Sequence, residues 1–295
     1  MKATKEQKLL LFVLILLLLE GVFFSLSKYQ INKKEEIENE IILNEKKLIN
    51  QKLSNLQMEA KAVSIYDLDK NEFIYGKNDT IPMPLASLVK TMTVLIATQN
   101  NFDKIIISKE SINQAEDNGL YAGEIWNIND LAKFSLIASS NDGAYALSEG
   151  IDNFIFKMNE EAKKIGMEHT IFYNQTGLDI DDKNAGAYGN ANDMNTLAVF
   201  AYRFNKSLFE ATQNKELNFN ITSGNKIFSH TAQNTNNLIG KIPNILFSKT
   251  GHTELAGGNL TIIWENNKGK QYAITVLGSS VDGRFSDMEK IISVL

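Results

Sequence analysis

The apolar positions at the start of the chain form one continuous run and not a periodic pattern. Residues 9–27 carry a single charge, Glu20, and their length is close to the roughly 20 residues that a helix needs to cross a bilayer. We therefore predict a tail at 1–8 and a transmembrane signal anchor at 9–27. A signal peptide cleaved near Ser25-Leu26-Ser27 is the alternative. Lysines flank the run on both sides, so charge alone leaves its orientation open.

Residues 28–61 change to a mixed pattern in which charge dominates. Seven lysines and six glutamates alternate with scattered isoleucine and leucine, and the segment holds no proline or glycine. This composition is typical of a solvated helix, so we predict a helical stalk over 28–61. The apolar residues do not keep a clean heptad, which leaves a two-stranded coiled coil as an alternative.

From residue 62 onward the pattern alternates between strand-like and helix-like periods. Apolar and polar residues alternate over Ala62–Tyr66 and Glu72–Tyr75 on either side of a turn-rich segment, which predicts a hairpin. Apolar residues then recur at helical spacing within Ser87–Gln99. Further helices are predicted at 128–150, 152–165, 191–205 and 286–294, and strands at 218–221, 226–229, 245–249, 259–264 and 272–278.

This order of elements predicts an α/β domain of the α+β type over residues 62–295. An antiparallel sheet would form from the N- and C-terminal strands, with a mostly helical subdomain inserted between them. The chain is 43% hydrophobic and has a net charge of −5 without a basic cluster, which favours a large core and argues against nucleic acid. It has no cysteine and only three widely spaced histidines. We therefore expect no disulfide, thiol nucleophile, metal site or cofactor.

Candidate chemistry begins with Ser87 and Lys90, a hydroxyl and an amine three residues apart. On a helix they share one face, where a neutral lysine can take the serine proton. The pattern alone is weak, because Ser25–Lys28 and Ser223–Lys226 also satisfy it.

Two further motifs raise the specificity of the pattern. Ser139 and Asn141 lie between two helix-like runs and are expected at an interhelical corner. Lys249-Thr250-Gly251 occurs once, at the end of a predicted strand, where glycine lets a substrate backbone approach the strand edge. The three motifs occur in this order along the chain, each in a suitable local context, which favours nucleophilic serine catalysis.

With these motifs, residues 62–295 resemble the serine-type D-alanyl-D-alanine carboxypeptidases, which are low-molecular-mass penicillin-binding proteins with a β-lactamase-like fold. The resemblance extends to Pro84-Leu85-Ala86, Gly123-Glu124, Asn174–Asp179 and Ala256-Gly257. It implies a substrate, the peptidoglycan stem peptide that ends in D-Ala-D-Ala, and β-lactams as covalent inhibitors. Because that substrate lies outside the cytoplasmic membrane, residues 1–8 are expected in the cytoplasm and the catalytic domain on the outer side, periplasmic or extracellular.

The resemblance also implies a role for each motif residue. Ser87 would be the nucleophile and Lys90 its general base. Ser139 and Asn141 would relay a proton to the leaving amine and hold the substrate amide. Lys249 would tune the electrostatics of the two serines.

Substrate binding is expected at a second set of residues that the resemblance marks: Lys249, Thr250, Gly251, His252 and Arg284. The backbone N–H of His252, with that of the nucleophile, would form an oxyanion hole. Arg284 would bind the substrate carboxylate, to which a guanidinium is geometrically suited.

Other activities on the same fold remain as alternatives. A D,D-endopeptidase that cuts cross-links differs in cleft shape and cannot be separated by sequence. A non-catalytic, membrane-tethered peptidoglycan binder is disfavoured because every member of the constellation is present. A class A β-lactamase is disfavoured because no glutamate between Ser139 and Lys249 lies in a Glu-x-x-Leu-Asn setting.

Overall fold

A computed structural model describes residues 4–100, 102–115 and 119–295 of the chain. They separate into two compact units, one that ends at Ser54 and one that runs from Asn55 to Leu295. The first unit is a single helix, α1, over Lys5–Ser54. Across the described residues, no helix is both long and apolar enough to cross a membrane. The anchor at 9–27 stays a prediction.

The helix α1 ends earlier than the predicted stalk, which extended to residue 61. The backbone N–H groups of Glu59 and Ala60 donate to the carboxylate of Asp287 at 3.2 and 2.7 Å. The Lys290 amine donates to the carbonyl of Gln57 at 2.7 Å. The N–H groups of Glu59 and Ala60 donate to a side chain and so are not available for the backbone hydrogen bonds of a helix. These contacts therefore hold the segment after Ser54 in a non-helical conformation.

The second unit contains the strands and the remaining helices. Its strands are β1 Ala62–Asp67, β2 Glu72–Lys77, β3 Met83–Pro84, β4 Lys104–Ile106, β5 Ile125–Asn127, β6 Ile171–Phe172, β7 Ala187–Gly189, β8 Glu216–Ser223, β9 Lys226–Gln233, β10 Ile245–Thr253, β11 Gly257–Glu265 and β12 Gln271–Ser279. Its helices are α2 Lys90–Thr98, α3 Ile128–Ile137, α4 Asn141–Ser148, α5 Phe154–Lys164, α6 Ala191–Phe204, α7 Lys206–Phe209 and α8 Gly283–Ile292.

The main sheet has five strands in the order β10-β11-β12-β1-β2, and every neighbouring pair is antiparallel. The N-terminal hairpin therefore joins the C-terminal strands, as the order of sequence patterns predicts. The strands β11 and β12 are buried along most of their length, because α6 and α8 pack on the sheet. The predicted α+β architecture is confirmed.

The inserted helices form the second part of the core. Helix α2 is buried on nearly all sides and contacts α3, α4, α5 and α6. The predicted helical stretch at 128–150 is two helices, α3 and α4, because Ser139 between them has a φ of 58°. A left-handed residue cannot continue a right-handed helix, so the corner expected at this serine is confirmed.

Several short strands were not predicted by the sequence pattern. The strands β3, β6 and β7 form one small sheet, and β4 pairs with β5. Each of these strands has two or three residues, which is too few to show an alternating pattern. Pro84 belongs to β3.

Candidate active site

The turn before α2 places Ser87 at the mouth of the site. Residues Ala86–Val89 form a single 3₁₀ turn, and Ala86 adopts a φ of 49°. The side-chain amide of Asn259, on β11, donates to the carbonyls of Pro84 and Leu85 at 3.0 and 3.1 Å. The turn is therefore held against the sheet, with the Ser87 side chain half-buried.

The amine of Lys90 connects three parts of the fold. Its Nζ lies 2.7 Å from Ser87 Oγ, 2.7 Å from Asn141 Oδ1 and 2.7 Å from the Thr176 carbonyl oxygen. The side chain of Lys90 has no solvent exposure. These contacts aim the amine at the Ser87 hydroxyl, as the shared helical face predicts.

The corner between α3 and α4 supplies the facing wall. Ser140 caps α4 by accepting from the Gly143 N–H at 3.0 Å. This cap fixes the start of α4, so that Asn141 faces Lys90, while the Asn141 amide donates to the Ala115 carbonyl at 2.8 Å. The strained conformation of Ser139 leaves its side chain half-buried and directed to β10.

The strand β10 supplies Lys249, whose Nζ donates to Ser139 Oγ and to the Thr250 carbonyl, each at 2.8 Å. The residue is 1% exposed. Burial lowers the pKa of Lys249 well below its usual value, and the charges of Lys90 and Arg284 lower this pKa further. The site therefore disfavours the charged form of Lys249.

Close packing brings β10 against the turn that carries Ser87. A Cβ added at Gly251 would lie 2.9 Å from the Leu85 carbonyl oxygen, so only glycine fits without movement of the backbone. From α8, Arg284 donates through Nη1 to the Gly251 carbonyl at 2.7 Å. Arg284 is 8% exposed, and its burial lowers the pKa of the guanidinium.

A cavity of about 170 Å³ lies between these elements. It is lined by Ser87, Ala138, Ser139, Thr235, Thr250, Gly251, His252 and Arg284. The buried amines of Lys90 and Lys249 reach the lining serines Ser87 and Ser139, and Asn141 contacts the amine of Lys90. The structure thus places the predicted site residues at or next to one cavity: Ser87, Lys90, Ser139, Asn141, Lys249, Thr250, Gly251, His252 and Arg284.

The competing Ser-x-x-Lys patterns have different surroundings. Ser223 pairs with Lys226 across the β8–β9 hairpin, and the Ser223 hydroxyl accepts from the Ile125 N–H at 2.7 Å. Ser25 and Lys28 lie within α1, in the other unit.

Comparison with known proteins supports the resemblance. A family model described as D-alanyl-D-alanine carboxypeptidase matches residues 48–280, which is most of the chain. The chain belongs to the D-alanyl-D-alanine carboxypeptidase family.

Two curated relatives of this chain have different names, one a carboxypeptidase and the other an endopeptidase. The chain is 30% identical over 236 residues to the D-alanyl-D-alanine carboxypeptidase DacF of Bacillus subtilis, which covers 76% of this chain and 58% of that protein. It is 29% identical over 214 residues to the D-alanyl-D-alanine endopeptidase of Haemophilus influenzae, which covers 69% of this chain and 70% of that protein. The chain thus spans little more than half the length of the first relative.

A solved structure shows the same fold over most of this chain. Penicillin-Binding Protein D2 of Listeria monocytogenes, in its cefotaxime-bound form, aligns with a TM-score of 0.70 and 29% identity. The alignment covers 81% of this chain and 98% of that one.

Sequence reasoning missed three contributors to the site of this carboxypeptidase-family chain. The Thr176 carbonyl binds Lys90, and its segment was noted only as part of the resemblance. The Ala115 carbonyl binds Asn141, but a backbone acceptor has no sequence signal. The Thr235 hydroxyl lies 2.6 Å from the Thr250 hydroxyl, and no motif marks it.

Proposed function

We propose that this protein is a penicillin-sensitive, serine-type D-Ala-D-Ala carboxypeptidase that acts on peptidoglycan stem peptides through an acyl-enzyme. The observation that carries the proposal is the 2.7 Å contact between Lys90 Nζ and Ser87 Oγ at a cavity that Arg284 also lines. Membership of the family and the names of the relatives support the same reaction. The reaction needs no cofactor.

Acylation begins when Ser87 attacks the carbonyl carbon of the penultimate D-alanine. Lys90, as a neutral amine, takes the hydroxyl proton over a distance short enough for direct transfer. The backbone N–H groups of Ser87 and His252 are the proposed oxyanion donors, and both residues line the cavity. The loss of such a donor typically costs about 3–4 kcal/mol of transition-state stabilisation.

The bond from that carbonyl carbon to the terminal D-alanine nitrogen then breaks. Ser139 transfers to this nitrogen the proton that Lys90 accepted. D-alanine then leaves as a free amino acid. Lys249, 2.8 Å from Ser139 Oγ, sets the electrostatics of the relay, and Asn141 holds the substrate amide. Water then attacks the ester carbonyl, releases the shortened peptide and returns a proton to Ser87.

The cationic end of the cavity favours a substrate with a free carboxylate. Arg284 is held by the Gly251 carbonyl, so a terminal carboxylate there would be attracted by the positive charge of its guanidinium. This favours the carboxypeptidase reaction. Cleavage of cross-links is the second candidate, because the Haemophilus influenzae relative is named an endopeptidase.

The test is covalent labelling of the protein by a fluorescent penicillin, read by intact mass. We expect the protein lacking residues 1–28 to gain the mass of one penicillin, and Ser87→Ala to gain none. Ser223→Ala is the matched control, since it changes the serine of a Ser-x-x-Lys pattern on the β8–β9 hairpin, and it should be labelled like the wild type.

Two results would count against the proposal. An unlabelled wild-type protein that still binds peptidoglycan would indicate a non-catalytic binder. A labelled protein that cuts a cross-linked dimer but releases no D-alanine from a pentapeptide would indicate the endopeptidase reaction.

The apolar N-terminal run is proposed to anchor this enzyme in the cell membrane as a single-pass segment. Its support is the sequence of residues 9–27, which has one charge, and the continuous helix that contains it. The proposed substrate lies outside the membrane, so residues 1–8 would be cytoplasmic. The part of α1 after the anchor, residues 28–54, would be about 40 Å long at about 1.5 Å per residue.

A further inference from the structure

Thr235 joins two of the motif segments at the edge of the active-site cavity. It lies between β9 and β10, is exposed, and lines the cavity. Its backbone N–H donates to the Ile137 carbonyl, at the end of α3, at 3.2 Å. Its hydroxyl lies 2.6 Å from the hydroxyl of Thr250. The backbone contact therefore fixes Thr235 relative to the helix before Ser139, and its side chain reaches Thr250, the residue after Lys249 on β10.

A hydroxyl has one proton to donate. If it accepts a hydrogen bond from one neighbour, it must donate its own proton to a different acceptor. Thr250 is 4% exposed, and its hydroxyl shares the cavity lining with Arg284. When Thr235 donates to Thr250 Oγ1, the Thr250 proton is directed to another acceptor. In the cavity, a ligand oxygen near the guanidinium would be such an acceptor.

We propose that Thr235 is a positioning residue, which orients the Thr250 hydroxyl so that it donates to the terminal carboxylate of the substrate. This inference rests on the proposed carboxypeptidase function. Arg284 supplies the charge that attracts the carboxylate, and the chain from Thr235 through Thr250 supplies a directed neutral donor. Hydrogen bonds in a chain polarise one another, so the donor strength of Thr250 depends on Thr235.

The position of Thr235 predicts an effect on binding more than on bond breaking. Its hydroxyl contacts Thr250 and not the serines or the amine of Lys90. The interaction with the carboxylate exists both in the bound substrate and in the transition state. Loss of such uniform binding raises KM and leaves kcat nearly unchanged.

The experiment measures kcat and KM for D-alanine release from a pentapeptide. For Thr235→Val, which keeps the branched shape without the hydroxyl, we expect KM to rise about tenfold with kcat within about twofold. Thr235→Ser retains the hydroxyl and should restore KM. Thr231→Val is the matched control, since Thr231 is an exposed threonine of β9 whose hydroxyl bonds to Asn218, and it should behave as the wild type.

Three results would overturn the inference: an unchanged KM in Thr235→Val, a decrease in kcat alone in that variant, or a KM for Thr235→Ser as high as that of Thr235→Val. Thr235→Ala, which adds no methyl group, guards against a packing effect and should match Thr235→Val. Penicillin labelling of the wild type distinguishes a failure of the proposed function from a failure of the role proposed for Thr235. An unlabelled wild type contradicts the proposed function, whereas a labelled wild type with an unchanged Thr235→Val contradicts only the role of Thr235.

Discussion

At the residue scale, the site contains two buried lysines, each next to a different serine. Lys90 faces the hydroxyl of Ser87, and Lys249 faces that of Ser139. Burial disfavours the charged form of Lys249, and the charges of Lys90 and Arg284 act in the same direction on its pKa. Protonation of one lysine therefore opposes protonation of the other.

The lowered pKa of Lys249 makes a prediction about stability and pH. In the unfolded chain, the Lys249 amine stays protonated up to its usual pKa of 10.5. In the folded chain, the amine loses its proton at a lower pH. Between these two values the unfolded state binds more protons, so the free energy of unfolding should rise with pH. In Lys249→Met this contribution should be absent, which urea unfolding at a series of pH values would reveal.

The control for this measurement is Lys268→Met, which removes a lysine from the exposed turn between β11 and β12. Its pH dependence should follow that of the wild type. Parallel curves for Lys249→Met and the wild type would show that Lys249 titrates alike in both states.

At the element scale, the site depends on how closely three segments approach one another: the turn at Ala86–Val89, the loop before Asp179 and the strand β10. Gly177 lies in this loop with a φ of 81°, and a Cβ there would lie 2.0 Å from the Ala86 carbonyl oxygen. The Asn174 side chain accepts from the Gly177 N–H at 2.7 Å and holds the loop in place. The same loop places the Thr176 carbonyl 2.7 Å from the amine of Lys90.

Gly177→Ala should therefore slow penicillin acylation and destabilise the fold. The new methyl group must push the loop from the turn, which weakens the contact between Thr176 and Lys90, and overpacking of this kind costs about 1–3 kcal/mol. Acylation rates and urea unfolding midpoints would measure the two effects.

Gly150→Ala is the control for backbone strain alone. Gly150 has a similar φ of 77°, but a Cβ there would meet nothing within 4 Å. It should lose stability through strain while acylation stays near the wild-type rate. Equal acylation rates for both variants would show that the approach of the loop does not matter for catalysis.

At the scale of the whole molecule, the chain combines the N-terminal helix α1 with a second unit, residues 55–295, that has its own sheet and helices. We call this second unit the catalytic unit, after its proposed function. The catalytic unit contains every residue proposed for substrate binding and chemistry. Its contacts at the active site lie within residues 55–295, so its chemistry should not require the apolar run.

Cell fractionation should therefore place the full-length protein in the membrane fraction and a chain without residues 1–28 in the soluble fraction. Both should be labelled by penicillin, because the catalytic unit is the same. Intact mass of the membrane-bound form would show whether residues 1–27 are retained. Recovery of the full-length, uncleaved protein in the soluble fraction would contradict the anchor.

Much of the fold was predictable from local sequence pattern. The hairpin at residues 62–77, the C-terminal strands and the helix after Ser87 all follow from periodicity over several residues. The structure extends β8 and β9 to eight residues each, beyond the four predicted. The ends of these strands are set by pairing across the hairpin, which the alternation of one strand does not reveal.

The sequence by itself determined the types and order of the reactive groups, because Ser87 and Lys90 are neighbours on one helical face and their contact is local. Only the tertiary structure decided the rest of the site. Lys249 meets Ser139 across 110 positions of sequence, and Thr235 meets Thr250 without any motif to mark it. Such contacts depend on how the sheet, the corner and the loops pack together, and burial then sets the pKa of Lys249. Packing and desolvation are properties of the folded chain, so no local pattern could specify them.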